Sequence, residues 1–169
     1  LQLKKYRLEH QLFIAEGVKV IQEFLQSNFE LEELFVTNSA VGLFSRHQFT
    51  IISEVEMKKI SALTTPSNCF AVFRIPQELE IIKNGLIVAL DDVRDPGNLG
   101  TIIRSAVAFN INTIICSPDT VDFYNPKVVR ASQGMMFHIP IMIKRTEEVI
   151  KELKNNDYKI VGTKVTNGK

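Results

Sequence analysis

Leu90-Asp91-Asp92-Val93-Arg94-Asp95-Pro96-Gly97-Asn98-Leu99-Gly100-Thr101-Ile102-Ile103-Arg104-Ser105-Ala106 is the stretch whose reading decides the fold. The short apolar run from Gly85 to Leu90 before it suits a strand buried on both faces. Asp95-Pro96-Gly97-Asn98 then breaks the run: proline presets φ, glycine admits positive φ, and Asp and Asn bond back to their own backbone. A helix follows, with Ile102, Ile103, Ala106, Val107 and Phe109 as its apolar face. The loop therefore lies at the carboxyl end of a strand, where open α/β sheets bind ligands. As local structure, Asn98 caps the helix and Arg104 is a solvated arginine. As chemistry, an amide and a guanidinium face a ligand. Neither a G-x-G-x-x-G fingerprint nor a phosphate loop ending in Gly-Lys-Ser/Thr is present.

Downstream the pattern predicts a helix over 99–109, strand 112–117, helix 126–136, strand 139–143, helix 146–155 and strand 158–163. Strands alternating with helices argue a parallel sheet covered by helices. Asn125-Pro126 is a helix-start pair. Lys127 and Arg130, three apart, share a face close to that start, where cations oppose the helix dipole: they read either as a solvated face or as cations turned toward an anion. Ser132 and Gly134 lie near the helix end, where small residues admit another backbone or a ligand. His138 is isolated and reads as a core or surface histidine.

Upstream, residues 1–11 read as a polar, basic arm. From Leu12 to Leu25 the apolar residues recur at helical spacing, with Gly17 inside the helix and in want of a packing reason. Strands are expected at 33–37, 49–52 and 69–75, and a short helix at 38–47. Ser53-Glu54-Val55-Glu56 is a capping-box pattern opening another helix. This is a small α/β unit over 1–76, poor in catalytic groups and suited to binding. Residues 77–84 read as a linker and 85–169 as the second domain.

Composition narrows the class. The 169 residues are 45% hydrophobic and 23% charged, with a net charge of +1, so no global field marks a nucleic-acid partner. Cys69 and Cys116 sit in apolar runs and read as buried thiols of a reducing compartment, hence a cytoplasmic protein. No metal-ligand spacing occurs, and no run reaches the roughly 18 apolar residues of a membrane span.

Together these stretches resemble the SpoU (TrmH-type) family of RNA ribose methyltransferases, in the SPOUT superfamily. Asp95, Pro96, Asn98, Gly100, Arg104 and Ser105 look like the family's first motif. Arg130, Ser132, Gly134, Ile139 and Pro140 look like its second. The N-terminal unit is similar to the substrate-binding domain many members carry, related to a ribosomal-protein fold, through Lys4, Lys5, Tyr6, Arg7, Glu16-Gly17 and the Pro66 to Phe73 turn and strand. The family's third motif, which forms the trefoil knot and most of the S-adenosylmethionine site, would follow Lys169. A shortened or incompletely ordered member is therefore expected.

The resemblance implies methyl transfer from S-adenosylmethionine to a ribose 2′-hydroxyl of rRNA or tRNA, by a homodimer. It implies Arg104 and Asn98 as catalytic residues. Arg130, Lys127, Lys5 and Arg7 become candidates for RNA contacts, and Ser132 and Gly134 for the cofactor. A guanidinium stays protonated and is a poor base, so Arg104 would act electrostatically. A non-catalytic RNA-binding protein of the same fold is the main alternative. A nucleotide-binding α/β protein is disfavoured, since no phosphate loop or ribose-binding acid is recognisable.

Overall fold

The computed structural model describes residues 1–76 and 85–163. The expected linker at 77–84 and the last six residues lie outside the described residues. The N-terminal half runs α1 (Lys4–His10), β1 (Leu12–Glu16), α2 (Val18–Leu25), β2 (Leu31–Val36), a 3-10 helix (Asn38–Leu43), β3 (Thr50–Ile51), α3 (Glu54–Ile60) and β4 (Cys69–Arg74). Its sheet has the order β1-β4-β2-β3, antiparallel except for β2 with β3. The second half runs β5 (Ile87–Leu90), α4 (Pro96–Ala108), β6 (Thr113–Cys116), α5 (Pro126–Ala131), a 3-10 helix (Met135–Phe137), β7 (Ile141–Ile143) and α6 (Thr146–Asn155). Here β5, β6 and β7 pair in parallel in that order, as the alternating pattern predicts.

Several expectations change. The helix predicted from Leu12 is a strand and then a helix. Phe13, Ile14, Ala15 and Glu16 are all buried in β1, which pairs with β4 from Leu12↔Arg74 to Glu16↔Phe70. A continuous apolar run does not distinguish a doubly buried strand from a helix. Gly17, at φ +102°, makes the corner between them, a conformation L side chains rarely adopt. Glu16 is buried because its carboxylate accepts from the Ser61 hydroxyl at 2.5 Å and the Ala62 N–H at 2.7 Å. The capping box at Ser53 and Glu56 forms as read. The helix predicted over 126–136 stops at Ala131, because Gln133 (φ +51°) and Gly134 (φ +84°) leave the helical region. The strand expected at 158–163 does not form. Residues 159–163 are exposed and irregular, with no ladder partner among the described strands.

The expected arm is helix α1, and Arg7 is its one buried residue. Arg7 was a candidate for RNA contact. It is instead 2% exposed and points inward. Its Nε and Nη2 donate to Asp122 Oδ2 at 3.0 and 2.6 Å, and its Nη1 donates to the carbonyls of Leu1 and Gln2, both at 2.8 Å. A guanidinium so occupied has no face left for a phosphate. The other Asp122 oxygen accepts the Tyr124 N–H at 3.0 Å.

Around this pair the two halves share one apolar core. Phe13 lies 4.8 Å, ring to ring, from Tyr124, and Phe24 lies 5.8 Å from Phe137. Each such aromatic pair contributes about 0.5–1.5 kcal/mol beyond its buried area. Burial, with Asp122 beside it, pushes the Tyr124 phenol well above its ordinary pKa, so it stays neutral.

Removing one partner of a buried ion pair strands the other charge. Arg7→Met is therefore expected to lower unfolding stability by about 3–5 kcal/mol in denaturant titration. The double variant Arg7→Met with Asp122→Leu should lose less than Arg7→Met alone. A larger loss in the double variant would mean that the pair is not isolated from water.

Candidate functional site

The start of α4 is built around Asp95. Its Oδ1 accepts the Asn98 N–H at 2.7 Å, and Pro96 occupies the first turn. Asp95 is thus the helix cap. Asn98, one reading of which made it the cap, lies inside the first turn with an exposed side chain whose amide has no hydrogen-bond partner among the described residues.

Gly100 fixes the distance between α4 and α5. A Cβ built there would stand 2.4 Å from the Ala131 Cβ and 2.9 Å from the Ser132 N, so only glycine lets the helices meet. Ser132 lies at the other side of this contact. It is fully buried, and its hydroxyl donates to the Val129 carbonyl at 2.8 Å. Gly134 is likewise filled from within, since a Cβ there would meet the Glu23 Cβ at 2.8 Å. Both residues were candidates for cofactor contact. The structure turns them to packing, and neither offers a cradle for S-adenosylmethionine.

Arg104 is exposed on α4 and lines a shallow cleft of about 430 Å³ with Lys19, Thr101, Ser105, Gln133 and Met135. Lys127 and Arg130 are exposed on α5 but are not among the residues lining it. Lys5 is exposed on α1, its Nζ 5.9 Å from the Tyr6 ring centre. His138 is exposed, with its ring against Phe137, in keeping with a surface histidine. The structure thus gathers Arg104 with Lys19 and Gln133, which sequence reasoning missed. Lys19 is a lone cation on the polar face of α2, and only the docking of the two halves brings it to α4.

A wider groove of about 530 Å³ lies on the N-terminal half, lined by Leu1, Leu3, Tyr6, Ile14, Phe35 and Phe70 among others. It is mostly apolar and contains no residue of the first or second motif. Among the described residues no group of three His, Cys, Asp or Glu could hold a metal ion, and no helix is long and apolar enough to cross a membrane. Cys116 ends β6, but burial pushes its thiol pKa up to about 12, and Cys69 is raised by the same cause. Neither is a nucleophile at neutral pH.

This geometry has relatives. Residues 85–169 match the SpoU rRNA methylase family and residues 1–71 the MRM3-like substrate binding domain. The chain is 32% identical to the Bacillus subtilis 23S rRNA (guanosine(2553)-2'-O)-methyltransferase RlmP, over 99% of this chain and 68% of that protein. It is 29% identical to the Xenopus laevis mitochondrial rRNA methyltransferase 3, over 96% of this chain and 41% of that protein. Among solved structures it superposes on a TrmH-family protein from Porphyromonas gingivalis with a TM-score of 0.84 and 33% identity, covering 93% of this chain and 64% of that one. An AdoMet-bound rRNA methyltransferase from Sinorhizobium meliloti gives a TM-score of 0.78 and 30% identity, covering 92% and 62%. The chain belongs to the SpoU rRNA methylase family. It spans less than two thirds of the length of both solved relatives.

Gly→Ala inside a helix ordinarily gains up to about 1 kcal/mol. At Gly100 the sign should reverse: Gly100→Ala is expected to lose about 1–3 kcal/mol through overpacking against Ala131. A thermal melt of the variant unchanged or raised in midpoint would show that α4 and α5 do not meet there.

Proposed function

We propose that this protein transfers a methyl group from S-adenosylmethionine to a ribose 2′-hydroxyl of rRNA or tRNA. One observation carries the reading. Asp95 and Pro96 fix the start of α4 so that it presents an unbonded Asn98 amide and, further along, an exposed Arg104 beside a cleft. Family membership adds to it, as do the rRNA methyltransferases among the relatives.

The methyl donor supplies an electrophilic methyl on a sulfonium. Ser132 and Gly134 do not fit as its holders, and no role in binding it is assigned to them. The chain's own residues act on the acceptor. Arg104 binds the phosphate next to the target ribose through its fork of N–H donors and stabilises the negative charge that develops on the 2′-oxygen. It does not take the proton, because a guanidinium is already protonated; the hydroxyl proton leaves to water or to an oxygen of that phosphate. Asn98, with both a donor and an acceptor, orients the ribose. Lys5, Lys127 and Arg130 are solvated cations suited to phosphates farther along the RNA.

A homodimer is part of the proposal. Phe109, 79% exposed at the end of α4, and Leu86, beside β5, leave apolar surface that a second copy would cover. Light scattering should return twice the chain mass, and a monomer at all concentrations would remove this part. A cytoplasmic site is proposed from the two cysteines, both free and buried.

Transfer of labelled methyl onto unmodified 23S rRNA tests the activity. That RNA comes first because the Bacillus relative is named for it. Arg104→Ala is expected to lower kcat by about 10²–10³-fold. Arg104→Lys should recover only part of this, since a lysine keeps the charge but not the fork. Full activity in Arg104→Ala would contradict the role. RNA binding with no methyl transfer would favour the non-catalytic alternative.

A further inference from the structure

We infer that Lys19 and Arg104 form a two-cation clamp for one phosphodiester of the RNA, with one jaw from each half of the chain. This inference rests on the function proposed above and extends it to a residue of the N-terminal half. Both side chains are exposed and line the same cleft. Neither belongs to an ion pair or donates a side-chain hydrogen bond among the described residues, although Arg7, Arg74, Arg94 and Lys144 all do. The remaining polar lining consists of the hydroxyls of Thr101 and Ser105 and the amide of Gln133. Among the described residues no carboxylate lines the cleft, and Glu23, one turn from Lys19, is the acidic side chain beside it. Two like charges brought to one concave site repel each other, and an anion between them turns that cost into attraction. Hydroxyls and an amide beside them can donate to phosphate oxygens or meet a 2′-hydroxyl.

The placement of Lys19 is built, not incidental. Gly17 sets the entry to α2, and Val20, Ile21 and Phe24 anchor the helix in the core. Glu23, one turn beyond Lys19 on the same face, presses on Gly134 in the turn after α5. That contact holds the Lys19 face of α2 against the second half. RNA is the anion whose backbone the family membership of this chain points to, and a single phosphodiester suits two cations that line one shallow cleft, one from α2 and one from α4.

The test is fluorescence anisotropy of a labelled, mixed-sequence single-stranded 20-mer RNA titrated with the chain at low salt. Lys19→Ala is expected to weaken Kd by about fivefold to tenfold, and Lys19→Arg to restore it. In an Arg104→Ala background the Lys19 substitution should cost less than about twofold, because a clamp with one jaw missing has little left to lose. Lys151→Ala, on α6 and outside the cleft lining, should change Kd by less than about twofold. Salt-steep RNA binding that ignores Lys19 would overturn the clamp and leave the proposed function standing. Additive losses at Lys19 and Arg104, or an equal loss at Lys151, would also overturn the clamp. An unsubstituted chain with no salt-dependent RNA affinity would overturn clamp and function together.

Discussion

A buried guanidinium closing on a mostly buried carboxylate ties the two halves of this chain together. Arg7 reaches from α1 to Asp122, in the loop that leads into α5, and donates from its Nη1 to the Leu1 and Gln2 carbonyls. Buried ion pairs are costly to desolvate, and their net contribution is often small. What this one supplies is register. A wrong docking of α1 would leave two charges in an apolar core, so the arrangement of the halves is defined more sharply than Phe13, Phe24, Tyr124 and Phe137 could define it alone.

From that joint the site follows by contact. β1 packs against α5, α2 presses through Glu23 on Gly134, and α5 in turn meets α4 at Gly100. Gly100 and Arg104 lie one turn apart on α4, so the close helix contact also fixes where the arginine leaves the helix. A side chain that must meet a developing charge gains from being held by a rigid scaffold rather than a loop. Here three glycines, Gly17, Gly100 and Gly134, provide the close approaches and turns that this requires.

Much of this was legible in the sequence. The turn chemistry of Asp95 to Asn98 and the alternation after it predict the parallel half, and Ser53 with Glu56 predicts the start of α3. The failures have a common cause. Leu12 to Leu25 reads as one helix because a doubly buried strand carries no alternation, and only pairing with β4 reveals it. Arg7 reads as a surface cation because its partner lies 115 residues away. Ser132 and Gly134 read as ligand contacts because small residues serve a ligand and a neighbouring helix equally well, and here helices fill the space. Lys19 carries no local signal at all.

The central claim is that the two halves meet in one core and so bring Lys19 to Arg104. Nuclear Overhauser contacts between the Phe13 and Tyr124 rings, read on a sample with selectively labelled aromatics, test it most directly. The ring centres are 4.8 Å apart, so strong cross-peaks are expected, with weaker ones between Phe24 and Phe137 at 5.8 Å. Absence of both, with the two halves tumbling at different rates, would contradict the account.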